Sequence, residues 1–540
     1  MILSYLFYAF LIYVLWEKIL KPYYYYWYYT SQGIRAICVP KPLIFNMLIL
    51  KKVLKNLHEY SEQLLYEYYL SQFKNEQIPS IFIDFRSAAG QLVVSDPDIL
   101  QELFVTKGKY VDKLHRSKKV FYDLTGESVL FDQTTEAQAT KRKHLSTAFY
   151  KDKMTFNLRI IIRKTYGWIE NLKIDIKKGN NERELNSMIN QHILDCILMS
   201  VFGETSLKQT MPFLVDDKIV ETSLGIATAR LFLALTRKSI TPLRILVQLF
   251  DSHYIGKSEK ALQKNLQTFR EFLQRLINEK KEKMQDPSFE GADFLTMLLT
   301  DDLFSKDESL IKDELATILI ASILTTTALI TNTLYYYEFL PEVKQKLRKE
   351  ISMIMSPDRS NPVPFENLKL SPELWVEKLD YDQLQEDWKY LYLVIQESLR
   401  IEPPARSSTP MQLNQTMEIG GYTVDKNTSI AVHFYLLHRN PQEWQQPSKF
   451  IPERFDPESP YYLTPDGKKR KPNSFSPFLG GRRICLGKTF AENIAKCVIP
   501  IIISELDIKF KNDYHYERKP PKNFATEINV PIILSAIQKN

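Results

Sequence analysis

The sequence predicts a large, mostly α-helical protein with small β-sheets. Apolar residues recur at helical spacing over long stretches, whereas strand-like stretches are short and few. A chain of 540 residues with 44% hydrophobic and 25% charged residues has the composition of a folded globular protein, which excludes wholesale disorder. No internal repeat or long linker divides the chain after its N-terminus, so we expect one catalytic unit.

Residues 1–20 are predicted to form a transmembrane signal anchor. Met1–Trp16 carries no charge, and twenty residues of helix span roughly 30 Å, the thickness of a hydrocarbon core. Lys18 and Lys21 on the C-terminal side place the rest of the chain in the cytoplasm. A buried core helix and a cleaved signal peptide are the alternatives, although no small-residue cleavage site follows.

Residues 21–42 are predicted to be a juxtamembrane segment. The run Tyr23–Tyr29 consists of amphipathic aromatic rings of the kind found at lipid headgroups. Val39–Pro42 contains two prolines and predicts a stiff hinge. Residues 43–540 then form the catalytic domain.

Secondary-structure signals alternate along this domain. Helical patterns cover roughly residues 42–75, 136–172, 183–203, 257–286, 309–350 and 381–401. Strand-like pieces form an early pair, at Ile81–Phe85 and Leu92–Val94, and a later group, at 418–424 and Ser429–Phe434.

Charge and cysteine usage exclude several classes of protein. The formal net charge is +7, a mild excess for this length that does not indicate a nucleic-acid binder. The four cysteines, Cys38, Cys196, Cys485 and Cys497, form no C-x-x-C pair, which argues against zinc sites and redox dithiols. They are also too sparse for a disulfide framework, and this indicates a reducing compartment.

One cysteine lies in a glycine-rich loop that ends at a predicted helix. The loop runs from Phe478 to Gly487, and the helical stretch begins at about Lys488. A lone thiolate is a strong ligand for iron, and a helix N-terminus stabilises its charge. Gly481 and Gly487 leave space where the backbone turns or approaches a flat ligand. On the residues alone, a buried structural cysteine in a glycine turn is an equally good interpretation.

This loop resembles the haem-binding loop of the cytochrome P-450 superfamily, F-x-x-G-x-R-x-C-x-G, at all five fixed positions. The resemblance implies the cytochrome P-450 fold for residues 43–540 and a b-type haem. It implies that Cys485 is the proximal thiolate ligand, that Arg483 binds a haem propionate and that Phe478 packs beside the sulfur. Thiolate ligation favours O–O cleavage.

The resemblance also implies a buried supporting triad. Glu397 and Arg400 are spaced i, i+3 on an apolar helix, and Arg454 lies in the later stretch P-E-R-F. In the family these three residues meet, so we expect them to support the haem loop without a chemical role. His438 lies in a run that matches the family before P-E-R-F, and we expect it to be structural.

The apolar, threonine-rich stretch Ala316–Leu334 is predicted to be a buried central helix over the iron. It aligns with the family motif A-G-x-D/E-T-T: Ala321, Thr325 and Thr326 match, and Ser322 replaces the glycine. Leu324 replaces the acid and cannot carry a proton. The resemblance therefore implies that Thr325 bonds the reacting oxygen while Ser322 or water completes the proton path.

A second departure from the family lies upstream. The W-x-x-x-R pair that holds haem propionates corresponds here to Gln138 and Arg142. Arg142 matches, and the Gln138 amide can still donate to a propionate. The alternative for Arg142 is a solvated charge within the run Lys141–His144.

The leading functional hypothesis is a membrane-anchored haem-thiolate monooxygenase. The resemblance implies insertion of one oxygen atom from O₂ into a lipophilic substrate, with electrons from NADPH through a diflavin reductase, on the cytoplasmic face of the endoplasmic reticulum. It places the substrate pocket near Val111–Phe131, Met211–Phe250, the central helix and Arg406–Pro410. A basic surface that steers an acidic electron donor is predicted from Lys468, Lys469, Arg470, Lys471, Arg482 and Lys488.

Two other functions stay open. Leu324 motivates a haem-thiolate isomerase or dehydratase that acts on a peroxide without a reductase. A haem-binding carrier or sensor is the non-catalytic alternative. The sequence does not separate fatty acids, sterols and xenobiotics as substrates.

Overall fold

The chain is described by a computed structural model that covers residues 2–37, 73, 77–85, 90–203, 210–239, 241, 244, 248–511 and 530–537. Helices are the main secondary structure of this part of the chain, and seven of them have fifteen or more residues. They are Lys151–Lys177, Leu185–Phe202, Leu224–Ser239, Lys257–Lys283, Glu308–Phe339, Pro341–Met355 and Lys488–Glu505. Shorter helices are Ile2–Leu15, Lys21–Thr30, Pro97–Gln101, His115–Thr125, Glu136–Ser146, Phe294–Thr300, Pro372–Lys378, Tyr381–Glu386, Lys389–Ile401 and Phe434–Leu437.

Three long helical patterns are each divided in the structure. The pattern 136–172 is interrupted at Tyr150, whose backbone is extended (φ −70°, ψ 155°). The pattern 309–350 is interrupted at Leu340, because Pro341 lacks an N–H group and disfavours helical geometry in the residue before it. The pattern 381–401 is interrupted at Trp388. The hydrophobic periodicity continues across all three breaks, so it predicts helix without locating the interruption.

The central helix, Glu308–Phe339, runs through the core. It packs against Leu185–Phe202, Leu224–Ser239, Lys389–Ile401 and Lys488–Glu505. Its length and hydropathy would allow it to cross a membrane, but 67% of its most apolar window is buried within the protein. The helix is therefore a core element, as the sequence predicts.

The N-terminus of the central helix is capped by Asp307. Its side chain accepts a hydrogen bond from the backbone N–H of Ser309, at 2.8 Å. The run Ser305–Glu308 has the pattern of a capping box led by Ser305. That interpretation is wrong, because Ser305 lies in the preceding turn and the aspartate occupies the cap position.

The early pair of predicted strands and the predicted strand at Ser429–Phe434 join in one six-stranded sheet, whereas the predicted stretch 418–424 forms a separate hairpin. The strands of the six-stranded sheet are β1 (Arg35–Ile37), β2 (Ile81–Asp84), β3 (Gln91–Val94), β4 (Val111–Lys113), β8 (Met411–Leu413) and β11 (Ile430–Val432). The order is β1-β2-β3-β11-β8-β4. The key pairing is between β3 and β11, parallel, with Leu92 beside Ile430. Residues more than 300 positions apart in sequence thereby form one layer that flanks the site.

The smaller sheets contain the remaining strands. One is a three-stranded sheet of β5 (Glu182–Glu184), β12 (Leu506–Phe510) and β13 (Pro531–Ala536). The other two are hairpins, one of β6 (Thr210–Val215) and β7 (Lys218–Ser223), the other of β9 (Met417–Ile419) and β10 (Tyr422–Val424). The hairpin β9–β10 turns at Gly420 and Gly421, which both have positive φ (59° and 81°), as a tight turn requires.

The N-terminal segment is helical from Ile2 to Thr30, with a π-helical turn at Trp16–Leu20. The predicted headgroup segment has two faces. Tyr24 and Trp27 are exposed, whereas Tyr25 and Tyr29 are buried. The hydroxyl groups of Tyr29 and Thr428 lie 2.7 Å apart. One face of the aromatic run is therefore packed onto the rest of the protein instead of facing solvent. The hinge predicted at 39–42 and, apart from one residue, the helix predicted at 42–75 lie outside the described residues.

Candidate functional site

A cavity of about 380 Å³ lies between the central helix and the cysteine loop. This volume is in the range of small-molecule sites. Most of its lining is aliphatic or aromatic. The regions that line it include 129–131, 225–232, 317–326, 404–409 and 477–487. Each region in which the sequence predicts the substrate pocket thus contributes part of the wall.

Cys485 lies in this wall, at the end of a tightly shaped loop. Its backbone N–H donates to the carbonyl of Phe478 at 2.9 Å. Gly481 has a φ of 58°, and a Cβ at that position would lie 2.2 Å from the backbone oxygen of Phe104. Only glycine is therefore compatible with this loop. The helix Lys488–Glu505 begins directly after Gly487.

The surroundings of the Cys485 thiol raise its pKa above the ordinary value. Burial is the largest influence and raises the pKa of the thiol. The backbone N–H of Gly487 and the positive charges of Arg142 and Lys113 act in the opposite direction and favour the thiolate. Cys485 keeps accessible surface and lines the cavity, so its sulfur is available to a ligand. Cys196 and Cys497 are buried and do not line it.

Three cationic side chains line the cavity near Cys485. Arg483 donates to Asp112 Oδ1 at 2.7 Å, while its buried Nε has no hydrogen-bond partner in the described structure. Arg142 donates to the backbone oxygen of Ile484. Burial and, second, the charge of Arg483 lower the pKa of Lys113 to about 8. Such a cluster is suited to the anionic groups of a bound molecule.

Lys113 is a site residue that sequence reasoning missed. It is 6% exposed, and its Nζ donates to Thr409 Oγ1 at 2.5 Å. No motif surrounds it. Its place depends on the pairing of β4 with β8, which sets Lys113 opposite Met411. A single sequence contains no signal for that register.

Gln138, predicted to contact the cofactor, is bonded elsewhere. Its Nε2 donates to the backbone oxygen of Val129 at 3.3 Å, and its side chain is 2% exposed. It is not among the residues that line the cavity. Arg142, four residues later on the same helix, does line it.

The central helix forms the opposite wall through Ala321, Ser322, Leu324 and Thr325. Thr325 Oγ1 donates to the carbonyl of Ala321, and Ser322 Oγ donates to the carbonyl of Ile318, both at 2.6 Å. Each hydroxyl oxygen can still accept a further hydrogen bond. Leu324 contributes only hydrocarbon at the position where the family motif has an acid.

The predicted triad is present and fully buried. Arg400 donates from Nε and Nη2 to the two carboxylate oxygens of Glu397, each at 2.7 Å. Arg454 Nε donates to Glu397 Oε1 at 3.2 Å, and all three side chains are 0% exposed. Other N–H groups of the two arginines donate to backbone carbonyls, among them those of Pro447 and Lys449. The sequence prediction that these residues meet agrees with this geometry.

His438 connects the triad to the cysteine loop. Its carbonyl accepts from Arg400 Nη1 at 2.9 Å, and its Nε2 accepts from the backbone N–H of Ser476 at 3.1 Å. Burial is the main cause that holds the pKa of His438 well below its usual value, so the ring is neutral. Because Ser476 lies two residues before Phe478, the triad positions the start of the cysteine loop through His438.

The predicted basic surface is smaller than the sequence implies. Arg470 is packed against the ring of Trp444, with the guanidinium carbon 4.5 Å from its centroid, and donates to the carbonyl of Arg454. Arg470 is half-buried, and its guanidinium group faces the protein and not the solvent. Lys468 and Lys471 are exposed but form ion pairs with Asp466 and Asp98. Of the six predicted residues, Lys469, Arg482 and Lys488 are exposed and form no ion pair among the described residues.

The residues around the cavity fit a thiolate-ligated haem. A thiol, three cations and apolar walls are the donor set that an iron porphyrin with two carboxylates requires. The unpartnered Nε of Arg483 provides a donor for a carboxylate. A Cβ at Gly487 would meet no protein atom within 4 Å, so the space beside it is free for a flat ring.

Comparison with known proteins agrees with this arrangement. The family model "Cytochrome P450" matches residues 39–534. Cytochrome P450 3A6 of Oryctolagus cuniculus is 24% identical over 461 residues, which are 83% of each chain. Cytochrome P450 4V2 of Mus musculus is 26% identical over 506 residues, 88% of this chain and 84% of the relative. The crystal structure of the cytochrome P450DA heme domain matches with a TM-score of 0.65 at 18% identity, over 89% of this chain and 95% of that one.

Proposed function

This chain belongs to the cytochrome P450 family, and from that premise we propose that it is a membrane-anchored monooxygenase that acts on lipophilic molecules. An NADPH-dependent diflavin reductase supplies its electrons. Its cofactor is haem b, and its activity is that of a cytochrome P450 monooxygenase. The observation that carries the proposal is the cavity in which Cys485 faces the central helix across apolar walls. The balanced reaction is RH + O₂ + NADPH + H⁺ giving ROH + H₂O + NADP⁺.

The cofactor-binding roles are assigned by position. Cys485 supplies the sulfur ligand, and the cations Arg483, Arg142 and Lys113 hold the propionates. Phe478 would shield the sulfur, and Ala321 would contribute a small side chain to the cavity wall that faces the haem. When bound, the haem supplies the iron at which O₂ is reduced and one oxygen atom is transferred. The protein holds that iron, excludes water and orients the substrate.

Proton delivery is assigned to the hydroxyl groups of the central helix. Thr325 Oγ1 accepts a hydrogen bond from a water molecule and orients it. Ser322 Oγ, one helical turn away, provides the next hydroxyl group of the path. Leu324 supplies no acid, so water carries the proton between hydroxyl groups. The lipophilic substrate class is supported by the apolar walls, which have few polar groups to satisfy a hydrophilic molecule.

The anchor and the electron donor are proposed from surface features. Large apolar side chains of the N-terminal helix are exposed, for example Ile12, Leu15 and Trp16, and this pattern suits a lipid environment. Lys488 and Arg482 flank Cys485 in sequence and are exposed, so an acidic donor can dock close to the sulfur. The endoplasmic reticulum membrane, with the catalytic domain in the cytoplasm, is the proposed location.

The function is tested by reconstituting the full chain with haem, a diflavin reductase and a panel of lipophilic substrates in lipid vesicles. We expect NADPH oxidation and O₂ consumption that depend on the reductase, with one oxygen atom of ¹⁸O₂ in the product. A second candidate function, isomerisation or dehydration of a peroxide, is favoured by Leu324 alone. Turnover of a lipid hydroperoxide without reductase, and none with NADPH, would establish that second function instead.

Replacing Leu324 with aspartate is expected to improve proton delivery. A carboxyl group at this position can carry a proton that leucine cannot, and positioned general acids contribute at least about 10²-fold to rate. We expect a higher ratio of product to NADPH oxidised in L324D, with less hydrogen peroxide released. L324N is the matched control, because it has the same shape without an acidic proton. Equal ratios in L324D, L324N and the wild type would contradict the proposed path.

A further inference from the structure

A carboxyl group, Glu314, lies in the wall of the mostly apolar cavity. It is 3% exposed, and its Oε1 accepts from the backbone N–H of Val129 at 2.9 Å. In the described structure no hydrogen bond reaches its second oxygen. The cofactor roles and the proton path proposed above do not use this residue. A buried carboxyl group in a cavity is costly unless it has a partner, so its presence calls for an explanation.

Glu314 is held mainly as the neutral acid at pH 7. Burial raises the pKa of its carboxyl group to about 8, and the nearby carboxyl groups of Asp313 and Asp132 act in the same direction. The N–H of Val129 and the charge of Lys141 oppose the shift but do not cancel it. A neutral carboxyl group is a hydrogen-bond donor as well as an acceptor.

The position of Glu314 argues against a role in proton delivery. It precedes Thr325 by eleven residues on one continuous helix, which corresponds to roughly 16 Å along the axis at 1.5 Å per residue. Ile318 and Ala321 occupy the intervening turns on the same face, and both line the cavity with hydrocarbon. Glu314 therefore lies at the far end of the cavity, about three helical turns from Thr325 and too far for a direct hydrogen bond.

The surroundings of Glu314 suit one polar group on an otherwise apolar molecule. Thr317, one turn along the helix, is 7% exposed, lines the cavity, and its hydroxyl has no partner among the described residues. Phe131 and Phe232, which also line the cavity, each stack on Phe121 with ring centroids 4.8 Å apart. This end of the cavity thus combines an aromatic wall with a hydrogen-bond donor.

We propose that Glu314 is a specificity-determining residue that anchors an elongated lipophilic substrate by donating a hydrogen bond to a neutral oxygen, such as a ketone or hydroxyl group, at the end remote from the oxidised carbon. This inference rests on the proposed function. The anchor selects substrates that carry an oxygen acceptor and fixes which carbon reaches the iron. The substrate end near Thr325 is held only by apolar contacts.

The test measures ligand binding to the haem-loaded full chain by the change in haem absorption. The probes are 2-tridecanone, tridecane and dodecyltrimethylammonium, which present a neutral acceptor, no polar group and a cation. We expect the wild type to bind 2-tridecanone roughly five- to tenfold more tightly than tridecane, as one added hydrogen bond gives. E314Q retains a hydrogen-bond donor and is expected to keep that preference. E314L is expected to lose the preference while it binds tridecane as tightly as the wild type does. E366Q, at an exposed site outside the cavity, is the control.

A second measurement needs no variant. The carbonyl stretch of ¹³C-labelled 2-tridecanone is expected to shift to lower wavenumber when it binds the wild type, because a carboxyl donor weakens the C=O bond. Three results would each overturn the anchor. E314L could keep the ketone preference, or the carbonyl band could stay unshifted on binding. The third is that the wild type prefers dodecyltrimethylammonium and E314Q loses that preference. Such results with a normal thiolate-haem spectrum refute the anchor alone. A wild type without that spectrum refutes the proposed function as well.

Discussion

Replacing Cys485 with alanine is expected to abolish the red-shifted absorption band of the reduced, CO-bound protein and all NADPH-dependent oxygenation. The band requires a thiolate on the iron, and Cys485 is the one described cysteine that lines the cavity. The cations proposed to bind the propionates and the apolar walls remain in C485A, so we expect some haem to stay bound without the band. The measurement is the difference spectrum of equal amounts of folded wild type and variant.

The matched control for this prediction is Cys497→Ala. Cys497 lies on the helix that follows the cysteine loop and is 0% exposed. Its loss leaves a small cavity and costs on the order of 1 kcal/mol of stability, but it is expected to leave the absorption band unchanged. A C485A protein that keeps the band would show that another residue ligates the iron.

Replacing Glu397 with glutamine is expected to lower the free energy of unfolding by about 3–5 kcal/mol and to deplete bound haem. The substitution keeps the shape of the side chain but removes the charge that neutralises Arg400 and Arg454, both 0% exposed. Burial already lowers the pKa of Arg454 to about 10, which shows how strongly its surroundings disfavour an uncompensated cation. The urea midpoint and the haem content per chain measure the two effects.

An exposed ion pair provides the comparison for this second prediction. Lys151 and Asp382 lie 2.7 Å apart, and their side chains are 60% and 57% exposed. D382N is therefore expected to change the free energy of unfolding by less than about 1 kcal/mol. If E397Q loses no more stability and haem than D382N, the triad does not support the cysteine loop.

The local motifs were predictable because their chemistry is contained in short stretches of sequence. The residue types from Phe478 to Gly487 indicate a glycine-dependent turn around Cys485, and the structure has that turn with a φ of 58° at Gly481. The E-x-x-R spacing places Glu397 and Arg400 on one helix face, and the i, i+3 geometry forms the bidentate pair. The mostly helical architecture followed from hydrophobic periodicity in the same way.

Other features depended on contacts between distant parts of the chain. Arg470 belongs to a basic run in the sequence but packs against the ring of Trp444. Gln138 fits a propionate-binding motif but its amide is bonded to Val129. The link from Arg400 through His438 to Ser476 has no pattern of its own in the sequence.

The sequence by itself determined that this protein is mostly helical, because helix formation and charge pairing at short spacing are properties of residue types and local order. Through the family resemblance of its cysteine loop it also predicted Cys485 as the haem ligand. The tertiary structure decided which cations reach the site, as Lys113 does through the β4–β8 register, and that Glu314 lies at the remote end of the cavity. Strand pairing and helix packing bring together residues hundreds of positions apart, and the free energy that fixes those contacts comes from burial of the whole core rather than from any local pattern.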